Sequence, residues 1–151
     1  MGYSAQADVQ NAVGGAKRLA QLADWNNNGN AGEIAAVVTD AIADADSLID
    51  SYASKRFHVP FSPVPEVIKR TSAKLARLML LRRRGQLTDD EKQEWDQIAG
   101  EKGWLYQLAT GVVTPGGDPL PPPHGTMSAD VVEEDLPDER DASRDNLAGF
   151  W

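Results

Sequence analysis

Cysteine is absent from the 151-residue chain, which excludes disulfides, thiolate metal centres and thiol nucleophiles and fits a reducing compartment. Histidine is scarce: His58 and His124 are the only two. Each sits in a proline-bounded stretch without an acid or serine in a recognisable nucleophile motif, so neither supplies acid-base chemistry or a metal site. Neither GxGxxG nor a Walker-type GxxxxGK[ST] occurs, which leaves nucleotide chemistry without a phosphate-cradling loop. No stretch approaches the roughly 18 unbroken apolar residues of a membrane span. The opening MGYSAQADVQ lacks the basic-then-apolar order of a signal peptide, so a soluble protein away from membranes is expected. Base is short relative to acid, 15 Lys and Arg against 23 Asp and Glu for a net charge of −8. That balance argues against nonspecific nucleic-acid binding by the whole molecule, which depends on Lys and Arg releasing counterions from phosphates. Without a nucleophile, base and oxyanion donor that can be named together, the reading is of a protein that is not an enzyme and needs no cofactor or metal.

What is present suits one ordinary globular domain: 41% hydrophobic and 25% charged residues in a chain that can bury roughly two-thirds of its unfolded surface. Charge is unevenly placed. Between Glu66 and Arg84 stand seven basic residues, Lys69, Arg70, Lys74, Arg77, Arg82, Arg83 and Arg84, against the single acid Glu66, a local balance of +6. From Gly116 to Trp151 nine acids face Arg140 and Arg144, a balance of −7. Opposite charges so segregated suggest complementarity within or between subunits.

Hydrophobic spacing predicts an all-α chain. Ser4 is placed to cap a short helix carrying Ala5, Val9, Ala12 and Val13, stopped by Gly14-Gly15. A second short helix over residues 16–23 has Leu19 and Leu22 as anchors. Ile34, Val37, Val38, Ala41, Ala45, Leu48, Ile49 and Tyr52 form one stripe at three-and-four spacing, the mark of a long core helix. Asp40, Asp44 and Asp50 fall off that stripe and should meet water or a partner, while Lys55 and Arg56 suit its C-terminal dipole. The proline-rich residues 57–65 cannot continue a helix and read as an extended crossing with aromatic anchors. Pro65 then opens a helix with Ile68, Ser72, Leu75, Leu78 and Met79 inward, ended by Gly85. Thr88-Asp89-Asp90-Glu91 matches a capping box. It starts a last helix with Trp95, Ile98, Ala99, Leu105, Leu108 and Ala109 on its stripe, weak points at Gly100 and Gly103, and a terminator at Gly111. Trp95, Trp104 and Tyr106 follow helical spacing and read as core and interface anchors rather than a base-stacking platform.

Two motifs invite a chemical reading. Asp24, Asn26, Asn28, Gly29 and Asn30 match the first half of a calcium loop, but the twelfth position is Ala35 and Glu33 falls two places early; an Asn-Gly turn explains the residues without a metal. The basic helix admits a solvated face, docking on an acidic surface of another subunit, or contact with DNA. Helix-turn-helix readers join their helices by a tight turn, whereas here a proline-rich segment precedes.

The run Ala45 to Phe61 with Val64-Pro65 resembles the signature of the Mu-like prophage head-tail connector family: a long helix ending at an aromatic residue, a basic-aromatic pair and a proline turn, here Tyr52, Arg56, Phe57 and Pro60. Tyr3-Ser4 with Asp8, and the stretch Leu105 to Val113, are similar to the two ends of that family, so the likeness covers roughly residues 3 to 115. The resemblance implies a virion neck protein that assembles as a ring, commonly a dodecamer. Such a ring sits beneath the portal protein, meets the next neck or tail-completion protein, and extends the channel through which genomic DNA passes without sequence specificity. The architecture expected is a small helical bundle with a long central helix, an extended Pro-rich crossing and an extended C-terminal tail. It divides into a helical adaptor domain over 1–115 and an acidic Pro-rich tail over 116–151 that orders on assembly. The basic residues from Lys69 to Arg84 would serve the subunit or portal interface, and Phe150 and Trp151 would plug into an apolar pocket of a neighbour. A small DNA-binding regulator using helix 66–84 is the alternative, and it predicts salt-sensitive duplex binding.

Overall fold

The computed structural model describes residues 2–116. Six helices follow one another: α1 (Gln6–Val13), α2 (Ala16–Ala23), α3 (Ala31–Ala53), α4 (Glu66–Arg83), α5 (Asp89–Ala99) and α6 (Trp104–Thr110). The all-α expectation holds, and among the described residues there is no β-strand. The acidic segment from residue 117 onward, including His124, Phe150 and Trp151, lies outside the described residues.

Helix ends follow local chemistry, with one correction. Ala5, not Ser4, holds the N-cap position of α1. Because alanine has no acceptor, the Asp8 carboxylate reaches back to the Ala5 amide at 2.8 Å instead, leaving the Ser4 hydroxyl for the core. Asn30 caps α3 through its side-chain oxygen, which accepts from the Gly32 and Glu33 amides. Thr88 and Glu91 form the expected reciprocal box at α5: the Thr88 amide donates to Glu91 Oε2 at 2.8 Å and the Glu91 amide to Thr88 Oγ1 at 3.4 Å. The predicted last helix is two helices, broken at the two glycines. A β-carbon at Gly103 would lie 2.7 Å from the Ile98 carbonyl oxygen, so the chain turns there through a gap that only glycine leaves open.

α3 and α4 form the centre. α3 buries Val38, Ala41, Ile42, Ala45, Ile49 and Ala53, the predicted stripe shifted slightly to take in Ile42 and Ala53. α4 is enclosed on most of its circumference: Ile68, Thr71, Ser72, Ala73, Leu75, Ala76, Leu78, Leu80 and Leu81 are all buried, because α1, α2, α3 and α5 all pack on it. Fully burying each of its leucines contributes roughly 1.5–3 kcal/mol. Residues 57–65 cross between the two helices as the expected non-helical segment, with Phe57 and Phe61 buried and their rings 6.0 Å apart. Leu105 and Leu108 of α6 close the core on α3.

Candidate functional site

A polar knot fixes the N-terminus to the centre of the bundle. The Tyr3 amide donates to Asp46 Oδ2 at 2.8 Å. The Tyr3 hydroxyl donates to the Asp50 carboxylate and accepts from the Phe61 amide at 3.1 Å, while the Tyr3 ring packs 5.8 Å from that of Phe61. Ser72 donates its one hydroxyl proton to Asp46 Oδ1, so the buried 2.8 Å contact between Ser4 Oγ and Ser72 Oγ has Ser4 as donor. Burial raises the Asp46 pKa above the ordinary carboxylate value, and the hydrogen bonds from Ser72 and the Tyr3 amide partly oppose that rise. Burial and the bond to Asp50 push the Tyr3 phenol up as well, so it stays protonated and keeps donating at neutral pH. The knot joins residues 3–4, 46–50, 61 and 72, four stretches far apart in sequence. Asp50, expected to face water or a partner, is instead turned to Tyr3.

Of the family-like signature, Phe57 reaches this knot through its ring contact with Phe61. Phe57 is buried, Tyr52 is half-buried, and Arg56 and Pro60 are exposed. Gly111, which ends α6 at φ 80°, lies directly beneath Arg56: a β-carbon there would collide with the guanidinium. That places a cation at the C-terminal end of α6, where the helix dipole favours it, and brings two separate stretches of the resemblance together.

The basic residues of α4 do not form one patch. Lys69 pairs with Asp8 at 3.4 Å and Arg70 with Glu66 at 2.9 Å. These two and Lys74 line a groove of about 300 Å³ between α1 and α4, with Asn11, Ala12 and Ala73. Arg77 is bound to Glu94 of α5, both side chains largely covered. Arg82 lies over the Trp95 ring, and Arg83 and Arg84 lie over Trp25. Arg84 also donates to the Leu22 carbonyl at 3.0 Å, the Gln21 carbonyl at 2.7 Å and the Asp24 carbonyl, which closes the C-terminal end of α2. From Lys74 to Arg82 is about 12 Å along the axis at 1.5 Å per residue, so the groove and the Trp-stacked arginines are separate features.

The Asp24–Asn30 loop uses its oxygens on itself. Asp24 accepts from the Asn28 and Gly29 amides at 3.1 and 2.9 Å, and Asn28 Oδ1 accepts from the Asn30 amide at 2.8 Å. Glu33 takes the side-chain amides of Asn26, Asn28 and Asn30. This is a ladder of Asx turns leading into α3. Of the histidines, His58 is exposed. Three partners escaped the sequence reading: Asp46, Trp25 and Glu94. A half-buried carboxylate on an apolar helix leaves no periodic signal, and a tryptophan in an Asn-rich loop gives no hint of which cation it stacks on.

The described residues form a small all-helical protein, and comparison with known proteins gives its family. Residues 3–133 match the family described as Bacteriophage Mu, Gp36, and the chain belongs to that family. It is 32% identical over 81 residues to the Mu-like prophage FluMu protein gp36 of Haemophilus influenzae and 33% identical over 85 residues to gene product J of Escherichia phage Mu. Each of these alignments covers 54% of this chain and 54% of the relative, so the chain spans about half the length of the curated relatives it matches. No solved structure matches it.

Proposed function

We propose that this protein is a head-tail adaptor of a Mu-like phage, a structural virion protein that forms a ring beneath the portal and carries the DNA channel toward the tail. Membership of the Mu Gp36 family supports the phage setting, and the resemblance over residues 3–115 supports the neck. The observation that carries the choice is the use of the α4 cations. Arg77 is bound to Glu94 and Arg84 to the carbonyls at the end of α2, Arg82 and Arg83 lie over the Trp95 and Trp25 rings instead of standing out from the helix, and α4 is enclosed on most sides. A DNA recognition helix must instead project a face of unspent donors into the major groove. A ring subunit needs two different surfaces that fit each other, so that the contact closes on itself. The partners on this reading are further copies of the chain, the portal, the next neck or tail-completion protein, and DNA that passes without sequence-specific contact.

The test is co-sedimentation of the purified protein with the portal protein of the same phage, beside a gel-shift titration with duplex DNA at low salt. The adaptor binds portal and leaves the DNA unshifted. Duplex binding that weakens steeply with salt, without portal binding, would transfer the assignment to a DNA-binding regulator.

A further inference from the structure

α3 carries five acids, Glu33, Asp40, Asp44, Asp46 and Asp50, and no base. Asp40 and Asp44 stand one turn apart, as do Asp46 and Asp50, a spacing at which like charges repel and destabilise a helix. The second pair is answered inside the chain by Tyr3 and Ser72. The first pair is not: Asp40 and Asp44 are exposed and make no ion pair among the described residues. Beside them on the exposed side of α3 stand Ala36, Thr39, Ala43 and Ser47. Between Ala36 and Ser47 no side chain on this face is longer than aspartate, although an exposed helix face usually carries long Lys, Glu or Arg side chains. Short side chains at a contact let two helix axes approach closely.

The complement is on the same chain. Arg70 and Lys74 are exposed on α4, also one turn apart and therefore also about 6 Å apart along the axis. Lys74 makes no ion pair among the described residues, and the Arg70 pair with Glu66 is exposed on both sides, where such a bond is weak and easily exchanged. Both cations line the α1–α4 groove, whose remaining wall is Asp8, Asn11, Ala12, Glu66, Lys69 and Ala73; Asp8 and Glu66 are paired to Lys69 and Arg70, which leaves Lys74 as the unanswered charge among them. α3 and α4 pack on each other through their buried faces, so these two exposed faces are distinct patches, and a contact between them is heterologous rather than two-fold.

We infer that the α3 face of one copy docks on the α1–α4 groove of the next, with Asp40 and Asp44 opposite Arg70 and Lys74. This rests on the ring reading above and names the surfaces that build the ring.

Charge reversal tests it with the full-length chain. One variant carries Asp40→Lys and Asp44→Lys, the other Arg70→Glu and Lys74→Glu, with circular dichroism and urea unfolding as checks on the fold. Each variant alone should be monomeric under conditions where the wild type assembles, because its two docking faces now bear the same sign. An equimolar mixture should assemble again with both chains in alternation, which native mass spectrometry reads directly. The milder Asp40→Asn, Asp44→Asn variant, which puts no new charge on α3, should weaken association at least about tenfold. Assembly of both reversed variants at the wild-type size overturns the docking and leaves the ring standing. A mixture that stays monomeric overturns the pairing. A wild type that is monomeric both alone and with portal overturns the ring and this inference together.

Discussion

Tyr3→Phe isolates the hydroxyl of the polar knot. Tyr3 is 6% exposed and its ring would keep the 5.8 Å contact with Phe61, so the apolar burial is unchanged. What disappears is a hydrogen bond to the Asp50 carboxylate and the acceptor for the Phe61 amide. A bond to a charged acceptor is worth roughly 1.5–3 kcal/mol, and a buried amide left without a partner costs about 1–3 kcal/mol. Against these stands the desolvation of the phenol, about 1–3 kcal/mol, which phenylalanine avoids. The net expectation is a loss of about 1.5–3 kcal/mol, read as a lower urea midpoint at unchanged slope. Tyr106→Phe is the control, since Tyr106 is 47% exposed and its loss should stay within about 0.5 kcal/mol. A Tyr3→Phe loss as small as that of the control would refute the claim that the hydroxyl ties the N-terminus to the bundle.

Arg84→Met keeps an unbranched aliphatic stem but removes the guanidinium over Trp25 and strips three carbonyls of their donor; a loss of about 2–3 kcal/mol in urea unfolding is expected, and an unchanged midpoint would deny the residue its role at the end of α2. Gly103→Ala drives a β-carbon onto the Ile98 carbonyl and should cost about 1–3 kcal/mol, measurable in the same assay. Thr88→Ala should cost about 1 kcal/mol through loss of the α5 cap. Its partner Glu91 gives that cap a pH dependence. The Thr88 amide holds the Glu91 pKa below its ordinary value near 4.5. The unfolded chain therefore takes up the proton first, and stability falls as pH drops below about 4.5 toward the depressed folded value. The stability gap between wild type and Glu91→Gln should accordingly narrow between pH 6 and pH 3, and a constant gap would contradict the sign.

Much of the bundle was legible because periodicity reports burial directly. The stripe from Ile34 to Tyr52 located α3, the Thr88-Glu91 box located the start of α5, and glycines marked the ends at Gly14, Gly85 and Gly111. The break between α5 and α6 was visible as two glycines, while their close backbone contacts were not. Ser4 misled because capping preference is local, whereas the long-range partner Ser72 claimed its hydroxyl. The basic run was legible as charge but not as a surface: whether an arginine meets solvent, Glu94 or a tryptophan ring depends on helix packing, which no one-dimensional spacing encodes. For the same reason the acidic side of α3 gained meaning only when Tyr3 and Ser72 were seen to satisfy Asp46 and Asp50 and to leave Asp40 and Asp44 exposed.

The adaptor assignment is tested most directly by mass. Mass photometry of the purified protein, alone and mixed with the portal protein of the same phage, reports assembly without assuming a fold. A head-tail adaptor should form either a closed ring of many copies in isolation or a monomer that joins the portal in multiple copies. A dimer or monomer indifferent to the portal would contradict the assignment.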